Sequence, residues 1–440
     1  MTDQHPYPRI YLPPEDDARL PGLAKLALLA IAAGLLAGLI GGTFRWLLAG
    51  AEGFRTDLLD WTREAPASRW LIPIVLAAVA VGIARLIVRF VPESSGSGIQ
   101  RVEADARQEI SGARLRIVPA KFVSGLLAIG AGLALGREGP TVQMGAVIGA
   151  RVGRLAKVPD HDERTLAAAL AGAGLAVAFS APVGGAFFTF EEVARAFRTR
   201  LVIATLAASA AAMSVARLIV GSAPVFDVPD IAFPHTWKML LFAVLGVVIG
   251  VLGVLYNRLV MWLLDVFDRI PVLPPEIKAG IVGALVGVIG ILDPSLVGGG
   301  DELNQAILVG QYSMGALVII LVVRWFLGPI SYSLGTAGGL FAPLLVVGAS
   351  VGALSAQALN VLFPAWELSP LSWAIVGMST FFAAVVRAPV TGVVLVAEMT
   401  ATTSLLIPMT LAAAIAVVTT TLMRAQPVYD SLRERLFRRP

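Results

Sequence analysis

The chain has 440 residues, 57% of them hydrophobic and 15% charged, a formal net charge of +4 and no cysteine. A soluble domain carries about a quarter charged residues, so a single water-facing surface does not account for this composition. The missing cysteines exclude disulfides, thiolate metal sites and thiol catalysis.

Residues 1–22 are polar and Pro-rich, with Glu15, Asp16 and Asp17. They lack the basic start and apolar core of a signal peptide and read as a cytoplasmic segment. Apolar runs follow at 23–42, 71–88, 201–220, 239–256, 316–328 with its flanks, and 404–423. Each suits a membrane span of about 20 residues. Shorter runs at 122–135, 140–150, 166–179 and 389–397 are broken by Gly or Pro. These are too short to cross a bilayer upright, and a lipid-exposed break would leave backbone groups unpaired, so they are expected inside the protein or along a cavity. The pattern predicts an all-α polytopic membrane protein with a transporter-like or channel-like core.

Basic residues cluster at 101–121 (Arg101, Arg107, Arg114, Arg116, Lys121), 151–164, 195–200 and 424–439, while 221–237 and 360–372 have none. The positive-inside rule puts these clusters, and both termini, in the cytoplasm. They are spread over short loops, which argues against nucleic acid as a partner. His5, His161 and His235 lie in separate polar segments, so neither a buried Ser–His pair nor a metal site is expected, and no cofactor is implied.

Two segments recur. PTVQMGAVIGA from Pro140 and PLLVVGASVGA from Pro343 share one pattern, 203 residues apart, and APVGGAFFTFE (181–191) matches APVTGVVLVAE (388–398). The chain divides into a first membrane repeat at 23–220, a second at 221–424 and a short cytoplasmic tail at 425–440. Repeats of this kind often run in opposite directions across the membrane, with broken helices meeting near the midplane. Three Gly-rich breaks are candidates for that meeting: Gly96-Ser97-Gly98-Ile99-Gln100, Gly136-Arg137-Glu138-Gly139-Pro140, and Gly338-Gly339-Leu340-Phe341-Ala342-Pro343. Helix N-termini offer unpaired N–H donors and about half a positive charge, so several aimed at one place bind an anion without a full cation. Taken alone, the first break reads as an ordinary loop and the third reads equally as a packing kink. The second carries Glu138 at membrane depth, where insertion of a charge costs about 2.5–3.5 kcal/mol. That makes it a functional candidate, with an Arg137–Glu138 ion pair as the structural alternative. Of the neighbouring Glu191 and Glu192, the first recurs as Glu398, which suggests a shared structural task. The second has Met399 as its counterpart and is the better candidate for passing protons.

GSGI, GREGP and GGLFAP in this order, with AFSAPVGGAFFTFEE, VRAPVTGVVLVAEMT and PVYDSL, resemble the CLC family of chloride channels and chloride/proton exchangers over nearly the whole membrane region. The resemblance implies two inverted halves per subunit and a homodimer with one anion pathway in each subunit. It implies chloride contacts from the hydroxyls of Ser97 and Tyr429 and the backbone N–H groups of Leu340 and Phe341. It casts Glu138 as the gating carboxylate and Glu192 as the inner proton carrier of a chloride/proton antiporter in a bacterial inner membrane. A passive chloride channel is the rival on the same fold, and a fluoride/proton antiporter is disfavoured by Ser97 and the intact GREGP. Gln100 departs from the family's usual proline, which alters the turn. The chain ends soon after Tyr429, without room for the paired regulatory CBS domains of many eukaryotic members.

Overall fold

The apolar runs and the glycines that interrupt them resolve into helices of very unequal length. The computed structural model describes residues 20–64, 66–110, 114–269 and 273–438, so most of the N-terminal segment 1–22 lies outside the described residues. The first eight α-helices are α1 (Leu20–Arg63), α2 (Leu71–Phe90), α3 (Ile99–Ala106), α4 (Ile117–Gly130), α5 (Glu138–Leu155), α6 (Asp160–Phe179), α7 (Pro182–Phe188) and α8 (Thr199–Val220). The next eight are α9 (Met239–Asp268), α10 (Pro275–Leu292), α11 (Asp301–Leu308), α12 (Met314–Ser333), α13 (Phe341–Leu362), α14 (Pro370–Val386), α15 (Pro389–Thr400) and α16 (Leu406–Leu422), and α17 (Val428–Arg438) follows.

Seven helices among the described residues are long and apolar enough to span a membrane. Two of them, α10 and α13, were not anticipated as spans. Glycines thin the apolar signal of α10, and they let it lie close to α2: a Cβ on Gly287 would come within 2.8 Å of Ile74 Cα. The run 404–423 yields a helix of 17 residues, shorter than expected. The run 166–179 instead belongs to a 20-residue helix that starts at Asp160, with Asp160, Asp162 and Glu163 in its first turn, where negative charge suits the helix dipole. Helix α1 has 44 residues, about 66 Å at 1.5 Å per residue, so it must tilt strongly or project beyond a hydrocarbon layer of about 30 Å.

The eight helices of each half correspond in order. The shared P-x4-G-A-x2-G-A pattern has a packing cause. Gly145 and Gly149 of α5 abut the carbonyls of Leu170 and Leu166 on α6, and Gly348 and Gly352 of α13 abut those of Gly377 and Trp373 on α14. Any larger side chain there would separate the pair, so small residues recur where helix backbones meet. Residues 138–150, 166–179, 341–353 and 372–386 are buried throughout, as expected of helices that are apolar all round. The outer helices turn Leu28, Leu76, Leu218, Leu240 and Ile281 outward, a surface suited to lipid.

The inversion is visible in two reciprocal contacts. Gly136 and Gly339, equivalent positions of the repeat, exchange N–H···O=C bonds of 2.8 Å in an antiparallel bridge. Glu191 accepts the N–H groups of Val390 and Thr391 at the start of α15, while Glu398 accepts those of Val183 and Gly184 at the start of α7. Each glutamate therefore closes the N-terminus of the other half's helix. That is the shared task suggested by their correspondence, and it requires α7 and α15 to lie antiparallel.

Candidate functional site

The three Gly-rich breaks converge. Gly96 N–H donates to the Thr336 carbonyl and Gly338 N–H to the Gly96 carbonyl, which ties the first break to the segment entering the third. The Gly136–Gly339 bridge ties the second break to the third. Gly96 and Gly98 have φ of 61° and 82°, a left-handed conformation open to glycine, and they throw Ser97 to the inside of the turn. A Cβ on Gly139 would lie 2.8 Å from Ser97 Cα and 2.9 Å from its hydroxyl. The GREGP glycine is thus what allows α5 to begin against Ser97.

The starts of α3, α5 and α13 meet here. Glu138, the first residue of α5, is fully buried. Its Oε1 accepts the Phe341 N–H at 2.8 Å, at the first residue of α13. Leu340 is the residue immediately before that helix, also buried. The carboxylate therefore sits on the amide donors that a helix start offers to an anion. Arg137 does not pair with it: its Nη1 meets Asp301 at 2.7 Å, and its Nε donates to the Ala178 carbonyl. The alternative of an Arg137–Glu138 ion pair is excluded by this geometry. Pro140 and Pro343 stand in the first turns of α5 and α13, where a missing N–H costs nothing, and Ala342 is buried beside Phe341.

Ser97 Oγ accepts the Ile99 N–H at 3.4 Å, at the start of α3. Tyr429, on α17, is fully buried, and its hydroxyl faces Ser97 without a hydrogen-bond partner among the described residues. The Tyr429 ring packs on Phe341 at 5.8 Å, and Phe341 also meets Phe179, Phe188 and Phe382. Two hydroxyls, backbone donors and an aromatic wall are thus brought together. Gln100 is buried beside the Tyr332 hydroxyl, to which Ser97 N–H donates at 3.5 Å. In this chain the first break is therefore braced by Gln100 and Tyr332.

Lys121 departs from the expectation that it is a cytoplasmic loop charge. It is fully buried on α4, and its Nζ donates to the carbonyls of Ser94 and Gly96 at 3.0 and 2.6 Å. A lysine that holds two carbonyls of the Ser97 turn gives no periodic signal. In sequence it stands among basic residues, and distance along the chain does not show its burial.

Glu191 and Glu192 lie in a π-helical turn, Thr189–Val193, a deformation common at functional sites. Glu191 turns to α15. Glu192 turns inward, is 1% exposed, and lies 3.5 Å from Arg195. Glu103 of α3 is fully buried and faces Glu192. The short α3 thus presents the Ser97 turn at one end and a carboxylate beside Glu192 at the other. The amphipathic pattern of α3 holds the only sequence signal for Glu103, and its burial could not be read without the partner. The basic segments near 107, 195 and 433 meet at this same end of the molecule through Asp430.

Inverted halves, broken helices meeting inside and a buried carboxylate on convergent helix N-termini are the features of a multi-pass membrane transport protein, with a candidate anion site in its interior. Residues 78–421 match the family model described as voltage gated chloride channel, and the chain belongs to that family. The H(+)/Cl(-) exchange transporter ClcA of Citrobacter koseri is 36% identical over 422 residues, covering 93% of this chain and 89% of the relative. The ClcA of Salmonella typhimurium is 35% identical over 422 residues, with the same coverage of 93% and 89%. A slow cyanobacterial Cl-/H+ antiporter superposes with a TM-score of 0.90 at 31% identity, covering 94% of this chain and 98% of the other. A CLC-type fluoride/proton antiporter shares the fold, with a TM-score of 0.76 at 22% identity, covering 92% and 97%.

Proposed function

We propose that this chain exchanges chloride for protons across a membrane. The hydrogen bond of 2.8 Å from the Phe341 N–H to the Glu138 carboxylate carries the reading. A chloride ion and this carboxylate require the same donors, so they compete. Chloride that enters displaces the carboxylate, and the displaced carboxylate takes up a proton. The neutral acid binds the amides weakly and leaves them to chloride. Loss of the proton restores the competitor and expels the anion. Chloride and proton occupancy are thereby linked without a full cation in the site, and binding stays weak enough for release.

In this reading Ser97 and Tyr429 donate their hydroxyls to chloride, and Leu340 and Phe341 their backbone N–H groups. Glu192 passes protons between the cytoplasm and Glu138. The relatives described as H(+)/Cl(-) exchange transporters support the pairing of ions. The protein would work as a homodimer in a bacterial inner membrane, with one pathway per subunit and the basic segments and both termini in the cytoplasm. Its parts would be an N-terminal segment at 1–22, repeats at 23–220 and 221–424, and a tail at 425–440.

Purified protein in liposomes, with a chloride gradient as the sole driving force, tests this with a pH electrode. Protons are expected to move uphill against their own gradient. Chloride flux without proton movement would replace the exchanger by a passive channel. Fluoride flux without chloride flux would replace the ion.

A further inference from the structure

The residue after the chloride-facing tyrosine and the inward-turned glutamate share one guanidinium. Tyr429 is followed by Asp430 on α17. Asp430 is 6% exposed and takes three guanidinium groups: Arg195 at 3.0 Å, Arg433 at 3.2 Å and Arg107 at 3.4 Å. Arg107 follows α3, so Asp430 also ties α17 to the helix that begins at the Ser97 turn. Arg433 holds Glu109 at 2.5 Å as well. Of the three, Arg195 is also within ion-pair distance of Glu192, at 3.5 Å. Its φ is 46°, a conformation unusual for a residue with a side chain. The surrounding contacts hold it there, and such residues cluster at functional sites.

We propose that Arg195 and Asp430 form a positioning pair that couples the charge on Glu192 to the seat of Tyr429. The inference rests on the antiport reading and adds a link which that reading lacks. An ionised Glu192 competes with Asp430 for the Arg195 guanidinium. The side chain is then shared, and Asp430 depends on Arg107 and Arg433. A protonated Glu192 releases Arg195 to Asp430, which fixes the start of α17 and sets the Tyr429 ring against Phe341. The charged groups that face this exchange are Glu103 and Arg107 from α3, Glu192 and Arg195 from the π-turn and its exit, and Asp430 and Arg433 from α17. Proton arrival at the inner carboxylate and retention of chloride by the tyrosine thus become mutually dependent, as linkage requires.

Asp430→Asn and Arg195→Gln in liposomes test the pair, with chloride and proton fluxes measured together and chloride binding followed by calorimetry between pH 5 and 8. Arg195→Gln leaves Asp430 clamped by Arg107 and Arg433, so it guards against simple loss of the tail helix. Each variant is expected to keep chloride flux, lower the protons moved per chloride at least twofold, and flatten the pH dependence of chloride binding. The double variant should be no worse than either single one, and Asp430→Glu should restore coupling. Wild-type coupling and wild-type pH dependence in both single variants would overturn the proposal and leave the antiport reading intact. Should the wild type move no protons uphill, the antiport reading fails. The pair is then judged on chloride binding alone, where an unflattened pH profile overturns it.

Discussion

In the first half, the turn before α3 carries Ser97 between two left-handed glycines. In the second half, the turn before α11 carries Gly299 between Gly298 and Gly300, whose φ values are 78° and 101°. The backbone is repeated, but the hydroxyl is not. The first residue of α5 is Glu138 and that of α13 is Phe341, which supplies the N–H that Glu138 accepts. Glu192 has Met399 opposite it, whereas Glu191 and Glu398 perform matching caps. The start of α11 carries Asp301, paired with Arg137, so that helix start already has a carboxylate of the protein in its first turn. Positions that agree between the halves serve the scaffold. Positions that disagree carry the polar groups of the candidate site, and α17, which has no counterpart among the described residues of the first half, adds the Tyr429 hydroxyl.

This contrast can be broken most sharply at Glu138. Glu138→Ala should abolish uphill proton movement in liposomes while chloride flux persists. Wild-type chloride flux should rise as pH falls, because the protonated acid no longer holds the Phe341 amide, and the variant should lose that dependence. Retained proton pumping in the variant would end the competition model. Glu192→Gln should come next, lowering proton flux at least tenfold with chloride flux changed only a few-fold. Equal loss of both fluxes in a folded protein would reduce Glu192 to a structural residue. Ser97→Ala should weaken chloride binding by at least about tenfold, since a hydrogen bond to a charged group contributes about 1.5–3 kcal/mol and 1.4 kcal/mol is about tenfold in affinity. Gly299→Ser supplies the mirror hydroxyl and should add no second chloride site by calorimetric stoichiometry, because Asp301 already occupies that helix start. The smallest effects belong to the matched caps. Glu191→Gln and Glu398→Gln should each cost about 1–3 kcal/mol of stability, seen as similar falls in Tm in detergent. Neither should change the number of protons moved per chloride.

Much of this was legible in the sequence, for definite reasons. The breaks at 96–100, 136–140 and 338–343 stand out because glycine and proline punctuate apolar runs, and the repeat stands out because close helix contacts demand glycine at fixed spacing. The asymmetry between Glu192 and Met399 is visible by alignment of one half on the other. What stayed hidden depends on distance between segments remote in the chain. Lys121 reads as one more basic residue until its Nζ is found on the carbonyls of Ser94 and Gly96. Nothing in the sequence marks the burial of Glu103 or Asp430 until α3, the π-turn and α17 are brought together. The length of α1 was underestimated because Arg45, Glu52 and Arg55 interrupt its apolar run. Arg45 donates to the Val177 carbonyl, and Arg55 to those of Ile129 and Gly130, so these charges are taken inward and the helix continues.

The Gly136–Gly339 bridge also bears on how the protein is made. A ribosome delivers the first half to the membrane before the second exists, and at that stage the amide and carbonyl of Gly136 and the amide of Gly96 have no permanent partners. They acquire them only when the segment from Thr336 to Gly339 arrives about 200 residues later. The first half must therefore wait in an unfinished state, with Glu138 not yet seated on the Phe341 amide. The candidate site is therefore completed late in assembly, at the seam where the two halves join.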